Sequence, residues 1–122
     1  AVVRGGVVSY AIPVKHEVLG VPYEGVLSDP GIGAVSSECA EAMACGARDV
    51  LRCDVAVSTT GIAGPGGDEP GKPVGTVWFG AAWHGQSRSH VRCFDGDRAD
   101  VRRFACREAL SFMREVIVEL SS

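Results

Sequence analysis

VAVSTTGIAGPGGDEPGKP, running from Val55 to Pro73, changes character halfway along. Val55 to Thr60 is short, apolar and β-branched, and a glycine follows it. That is the pattern of a strand buried on both faces, so it reads as a parallel strand ending at a ligand-facing edge. Gly61 to Pro73 then packs five glycines and three prolines into thirteen residues. Such a run is too broken for regular structure and too long for a plain connection, so it reads as a functional loop.

Outward from this loop the elements follow in turn. Val74 to Trp83 and Arg88 to Phe94 are apolar-rich runs around Gly85 and predict an antiparallel hairpin. Asp97, with Asp100 three residues on, predicts the start of a helix whose stripe is Val101, Phe104, Ala105, Phe112, Met113, Val116, Ile117 and Leu120. Before the strand, Ser36 reads as an N-cap. Ala40, Met43, Ala44, Ala47, Val50 and Leu51 recur behind it at helical spacing, so a helix is expected from Ser36 to Arg52, with Val35 stapled against Ala40. Pro13 to Leu19 predicts a short helix stopped by Gly20, a second turn opens at Pro22, and Ser28 to Gly33 reads as loop. The valine-rich segment Ala1 to Tyr10 predicts a buried strand.

The order β, α, α, β, loop, β, β, α implies a single α/β domain over residues 1–122, built as three layers (α/β/α) around a mixed sheet. Ligands of such sheets bind beyond the carboxyl ends of the parallel strands, where Tyr10 and Thr60 are expected. A chain of 122 residues, 46% hydrophobic and 22% charged, has ample apolar surface to fold.

Net charge of −3 gives no general electrostatic reason to bind nucleic acid or an anionic membrane, and no apolar run approaches the ~20 residues of a bilayer span. With no basic region leading into a cleavable apolar stretch, a cytoplasmic location is expected. Cys39, Cys45, Cys53, Cys93 and Cys106 form an odd set without a C-x-x-C pair and read as reduced core thiols. His84, His90 and Cys93 match no ligand spacing, so no metal is expected.

Three features can carry chemistry. The T-G-I-A-G-P-G-G run, Thr60 to Gly67, leaves a strand with several backbone N–H groups unencumbered by side chains, a turn able to cradle an anion. It is neither a G-x-G-x-x-G nor a Walker loop, so a merely tight turn remains open on spacing alone. Lysine appears only twice, at Lys15 and Lys72, against ten arginines. A desolvated lysine can shed its proton whereas arginine effectively cannot, which makes Lys15 a candidate base and leaves a solvated lysine as the plain alternative. Tyr10, five residues earlier, is close enough to share a pocket with it, although a rim tyrosine is the commoner case. Arg98 opens the last helix, where a cation opposes the dipole unless an anion or the acidic Asp97 and Asp100 compensate, so it is a candidate for phosphate. Arg102 and Arg103 read as a solvated face.

Taken together, Gly5-Gly6-Val7-Val8-Ser9-Tyr10 with Lys15, Leu19-Gly20-Val21, Gly33-Ala34-Val35-Ser36, Thr60 to Gly67, Lys72 to Val77 and Gly96-Asp97-Arg98 resemble the CinA C-terminal family along the whole chain. The blocks Thr60 to Gly67 and Lys72 to Val77 in tandem carry most of that resemblance. It implies a three-layer α/β/α fold, commonly a homodimer, and nicotinamide-nucleotide amidase activity, the hydrolysis of nicotinamide mononucleotide to nicotinate mononucleotide and ammonia in pyridine-nucleotide salvage. It also implies a T-A-E-S-C-T-G-G-like motif upstream, whose serine is the nucleophile and which is not among these residues. The chain as given is therefore expected to be inactive. The family's Tyr-Ser-Asn-Glu-Ala-Lys segment reads Tyr10-Ala11-Ile12-Pro13-Val14-Lys15 here, keeping the tyrosine and lysine but not the polar residues between.

The expectation is acyl transfer. The upstream serine attacks the carboxamide, Lys15 accepts its proton directly or through Tyr10, and Thr60, Gly61, Gly64, Gly66 and Gly67 with Arg98 hold the phosphate. No organic cofactor is expected. The alternative is a non-catalytic nucleotide-binding or dimerisation module of a two-domain, competence/damage-inducible CinA-like protein.

Overall fold

The structure, a computed structural model, describes residues 3–121. Its elements are helix α1 (Ile12–Glu17), helix α2 (Ser37–Leu51), strands β1 (Val55–Gly61), β2 (Thr76–Trp83) and β3 (Gln86–Cys93), and helix α3 (Arg98–Ser121). A wide single turn over Tyr23–Leu27, with Glu24 and Gly25 outside helical dihedrals, joins α1 to the loop before α2.

β2 is the central strand, between β1 and β3, and both pairings are antiparallel. The α/β architecture with a helix on each face therefore stands, but the described sheet is antiparallel throughout, and Val55 to Thr60 is not paired as a parallel strand. Burial along β1 alternates, with Ala56, Ser58 and Thr60 buried and Thr59 exposed, the one-sided pattern usual for an antiparallel strand. Val77, Phe79, Ala81 and Trp83 point to one face of β2 and pack with Val101, Phe112 and Val116 of α3. Burying such large side chains contributes about 1.5–3 kcal/mol each. Alternate β2 residues face α2, so every position of this strand except the half-buried Trp78 is buried.

Caps fix the helix starts. Ser36 Oγ accepts the Cys39 N–H at 3.1 Å and donates to the Gly33 carbonyl at 2.8 Å. Asp97 and Asp100 cap α3 reciprocally, each carboxylate accepting the other's backbone N–H at 2.9 and 3.1 Å. Along α3 the acids turn towards β3: Glu108 meets His90 at 2.7 Å and Arg92 at 3.2 Å, and Glu119 meets Arg88 at 2.9 Å. The apolar stripe is narrower than its sequence period, since Val116 is buried against β2 while Ile117 and Leu120 are exposed.

Two further expectations change. The predicted strand Ala1 to Tyr10 is not a strand over residues 3–10; Ala1 and Val2 lie outside the described residues. β-branched sequence favours an extended chain, but a strand needs a ladder partner, and this segment has none among the described residues. Instead Arg4 Nε donates to the Leu51 carbonyl at 2.8 Å, and Val7 packs on a cluster of Leu19, Val21, Cys39 and Met43 beneath α2. The five cysteines are all free thiols, but only Cys39 is a core residue; Cys53 is half-buried and Cys45, Cys93 and Cys106 are exposed.

Candidate active site

The glycine loop leaves β1 still paired. Ile62 donates to Thr76 at 2.9 Å and Gly75 donates to Ile62 at 2.7 Å, so the ladder runs one step past the strand ends before the chain departs. Thr60 is buried, and its Oγ1 donates to the Ala34 carbonyl at 2.7 Å, tying the end of β1 to the turn that opens α2. Gly64 is buried at φ +86°, and a Cβ there would fall 2.6 Å from Val74 Cγ1. A side chain at this position would meet both backbone strain and a clash. Gly66 and Gly67 lie exposed at the loop's outer bend.

Arg98 reaches back from α3 to this loop, its Nη1 donating to the Gly64 carbonyl at 3.0 Å. Between them lies a cleft of about 580 Å³ lined by Ala63, Pro65, Val74, Gly96, Asp97, Arg98 and Ala99. One N–H of the guanidinium is spent on Gly64; the others of its five remain for a ligand. The first turn of α3 also reaches this end of the cleft, but Asp97 takes the N–H groups of Asp100 and Val101 and itself lines the same space, so the N–H groups the turn can offer a ligand are those of Arg98 and Ala99. Of the residues expected around the phosphate, Arg98 lines this cleft, while Thr60, Gly61, Gly64, Gly66 and Gly67 are not among its lining.

Lys15 is not among the residues that line this cleft. It is only 8% exposed, and its ammonium donates to the Ser9 carbonyl. Desolvation pushes its pKa below the ordinary lysine value, partly opposed by the Cys39 thiol, which raises it. Burial in turn raises the Cys39 thiol, with Lys15 and Lys72 pulling it back down. Tyr10 does not share this environment: it is 77% exposed. With residues 3–10 off the sheet, the strand-to-helix turn that would have aimed both side chains into one pocket is not formed.

Lys72, one of two lysines and the first residue of the Lys72 to Val77 block, has a definite place in the structure. Its Nζ donates to the Ile32 carbonyl, forty residues away, and lies 3.8 Å from the Glu69 carboxylate. No periodicity could have found it, since it sits on a loop. Its sequence signals are the scarcity of lysine in this chain and its place at the head of the Lys72 to Val77 block. Among the described residues no group of three or more His, Cys, Asp or Glu side chains is arranged to hold a metal ion, and no helix is long and apolar enough to cross a membrane.

Comparison with known proteins bears on this arrangement directly. Residues 1–117 match the family described as the CinA C-terminal domain. A CinA-like protein of Mycolicibacterium gilvum is 44% identical over 118 residues, which cover 96% of this chain and 27% of that protein. One from Akkermansia muciniphila is 46% identical over 107 residues, 87% of this chain and 25% of that protein. This chain thus spans about a quarter of the length of these relatives. Among solved structures, the competence damage-inducible protein A (ComA) from Klebsiella pneumoniae superposes with a TM-score of 0.83 at 35% identity, over 90% of this chain and 66% of that one. The competence/damage inducible protein CihA from Agrobacterium tumefaciens gives 0.79 at 37% identity, over 93% and 66%. With this match to sequence and fold alike, the chain belongs to the CinA C-terminal domain family.

Proposed function

We propose that the protein carrying this domain hydrolyses nicotinamide mononucleotide to nicotinate mononucleotide and ammonia, working in pyridine-nucleotide salvage as a cytoplasmic homodimer. The observation that carries the reading is the buried amine of Lys15, which desolvation brings towards the neutral form a base requires. A serine outside residues 1–122 attacks the carboxamide carbon while Lys15, directly or through Tyr10, takes the hydroxyl proton. As the C–N bond breaks, that proton passes to the leaving ammonia. Water then hydrolyses the acyl ester with the same amine as base, releasing the acid and the serine. Thr60, Gly61, Gly64, Gly66, Gly67 and Arg98 surround the mononucleotide phosphate, using binding energy remote from the amide to align it. The scheme uses neither a metal nor an organic cofactor.

The test is ammonia release from nicotinamide mononucleotide by the whole protein and by its Lys15→Arg variant. Removing a general base costs about 10²–10⁴-fold in turnover, and undiminished turnover in the variant would defeat the assignment. A second reading, a non-catalytic nucleotide-binding module, draws on the exposure of Tyr10 and on the bond that engages Lys15 with Ser9. Calorimetric binding of the mononucleotide by the whole protein, without ammonia release, would favour it.

A further inference from the structure

We infer that Lys72 is a positioning residue of this site: its ammonium fixes the Gly61–Pro73 loop against the turn that opens α2 and never touches substrate. The word site here rests on the functional reading above; the clamp itself rests on geometry alone.

Both lysines of the chain turn inward and donate to backbone carbonyls, Lys15 to Ser9 and Lys72 to Ile32. In Lys72 the side chain is 16% exposed, so solvent screens its interactions weakly. Its own segment is a tight clip: Glu69 N–H donates to the Lys72 carbonyl at 3.0 Å and Lys72 N–H donates to the Glu69 carbonyl at 2.8 Å. From that clip the ammonium spans to Ile32, with the Glu69 carboxylate 3.8 Å away to balance its charge. Ile32 belongs to the turn whose Ala34 carbonyl takes the Thr60 hydroxyl. The turn therefore holds the loop near its end through Lys72 and near its start through Thr60, while Arg98 holds Gly64 between them.

Three side chains donating to three carbonyls leave the loop little freedom, and a loop ordered before binding does not pay for its ordering when the ligand arrives. The Glu38 carboxyl in the first turn of α2 is held below its usual range chiefly by the Ser37 hydroxyl and by a backbone N–H, with the charge of Lys72 a smaller influence in the same direction. An ammonium suits the task because it is a compact donor on a flexible stem, whereas a planar guanidinium would need more room beside Gly33. With its donors directed at Ile32 and Glu69, Lys72 is committed to holding the loop.

The experiment uses the whole protein with Lys72→Met and Lys72→Arg, reading hydrogen exchange over residues 61–73 beside kcat and KM for ammonia release. In Lys72→Met, loop exchange quickens about tenfold or more while exchange in β2 and α3 stays as in the wild type, the scale expected for losing one charge-assisted hydrogen bond. KM rises by a similar factor and kcat stays within about twofold. Lys72→Arg recovers part of both effects. Unchanged loop exchange in Lys72→Met overturns the inference, and so does a fall in kcat at constant KM, which would make Lys72 a catalytic group. If the wild type releases no ammonia, the amidase reading fails by itself and the exchange arm alone decides the clamp.

Discussion

Gly80 of β2 lies directly under the carbonyl of Ala40 in α2: a Cβ built on Gly80 would come 2.2 Å from that oxygen. The neighbouring strand seals the same crossing, with Ser58 Oγ donating to Ala40 at 2.5 Å. Helix and sheet meet here backbone to backbone, and the first turn of α2, with Ser36 and Cys39, is set relative to the glycine loop by this contact.

Substituting Gly80→Ala should therefore destabilise the fold, because neither backbone can yield without moving a whole element. Overpacking of this kind costs typically 1–3 kcal/mol, so a loss of about 2–3 kcal/mol is expected. It would be read as a lower urea midpoint at unchanged slope. A variant as stable as the wild type would mean that α2 rides further from the sheet than the structure has it.

How much of this was legible beforehand follows from what each signal measures. The starts of α2 and α3 were readable because Ser36 and Asp97 act locally, each capping a backbone N–H three residues on. The hairpin was readable because a short turn leaves its two strands little choice but to pair. The state of Val3 to Tyr10 was not, since valines signal an extended chain whether or not a neighbour exists to complete the ladder. The direction of β1 was hidden for a related reason, as a short β-branched run is compatible with either pairing and the alternation of its burial shows only in the fold. Arg98 and the glycine loop could be named from residue chemistry. Their joining at Gly64, like the anchoring of Lys72 on Ile32, depends on contacts 34 and 40 residues apart that no local pattern encodes.

The burial of Lys15 makes a prediction in pH. Its folded-state pKa lies below the ordinary lysine value of 10.5, so between the two the unfolded chain binds a proton that the folded chain does not. Below the folded-state value both forms carry the charge, and the full cost of burying it is present. Stability contributed at this position therefore rises with pH through the window and levels off above 10.5. Compared with Lys15→Met, the wild type should gain ground as urea unfolding is repeated at pH values approaching 10.5 from below, and stop gaining above it. A difference independent of pH would show that Lys15 is solvated. The same titration should appear as a limb of kcat/KM rising with pH, since only the neutral amine accepts a proton.

Arg98 and Gly64 give the last prediction, which separates holding the loop from holding the ligand. Arg98→Lys keeps the charge but loses the planar fork, so one ammonium must choose between the Gly64 carbonyl and an anion in the cleft. A charge-assisted hydrogen bond is worth about 1.5–3 kcal/mol, so binding of the mononucleotide should weaken by roughly tenfold to a hundredfold. The unphosphorylated nucleoside, which offers the guanidinium no anion, should lose much less. Calorimetry with both ligands on the whole protein measures the contrast. Equal losses for the two would assign Arg98 to the loop alone and leave the phosphate to the backbone N–H groups of Gly64, Gly66 and Gly67 and of the first turn of α3.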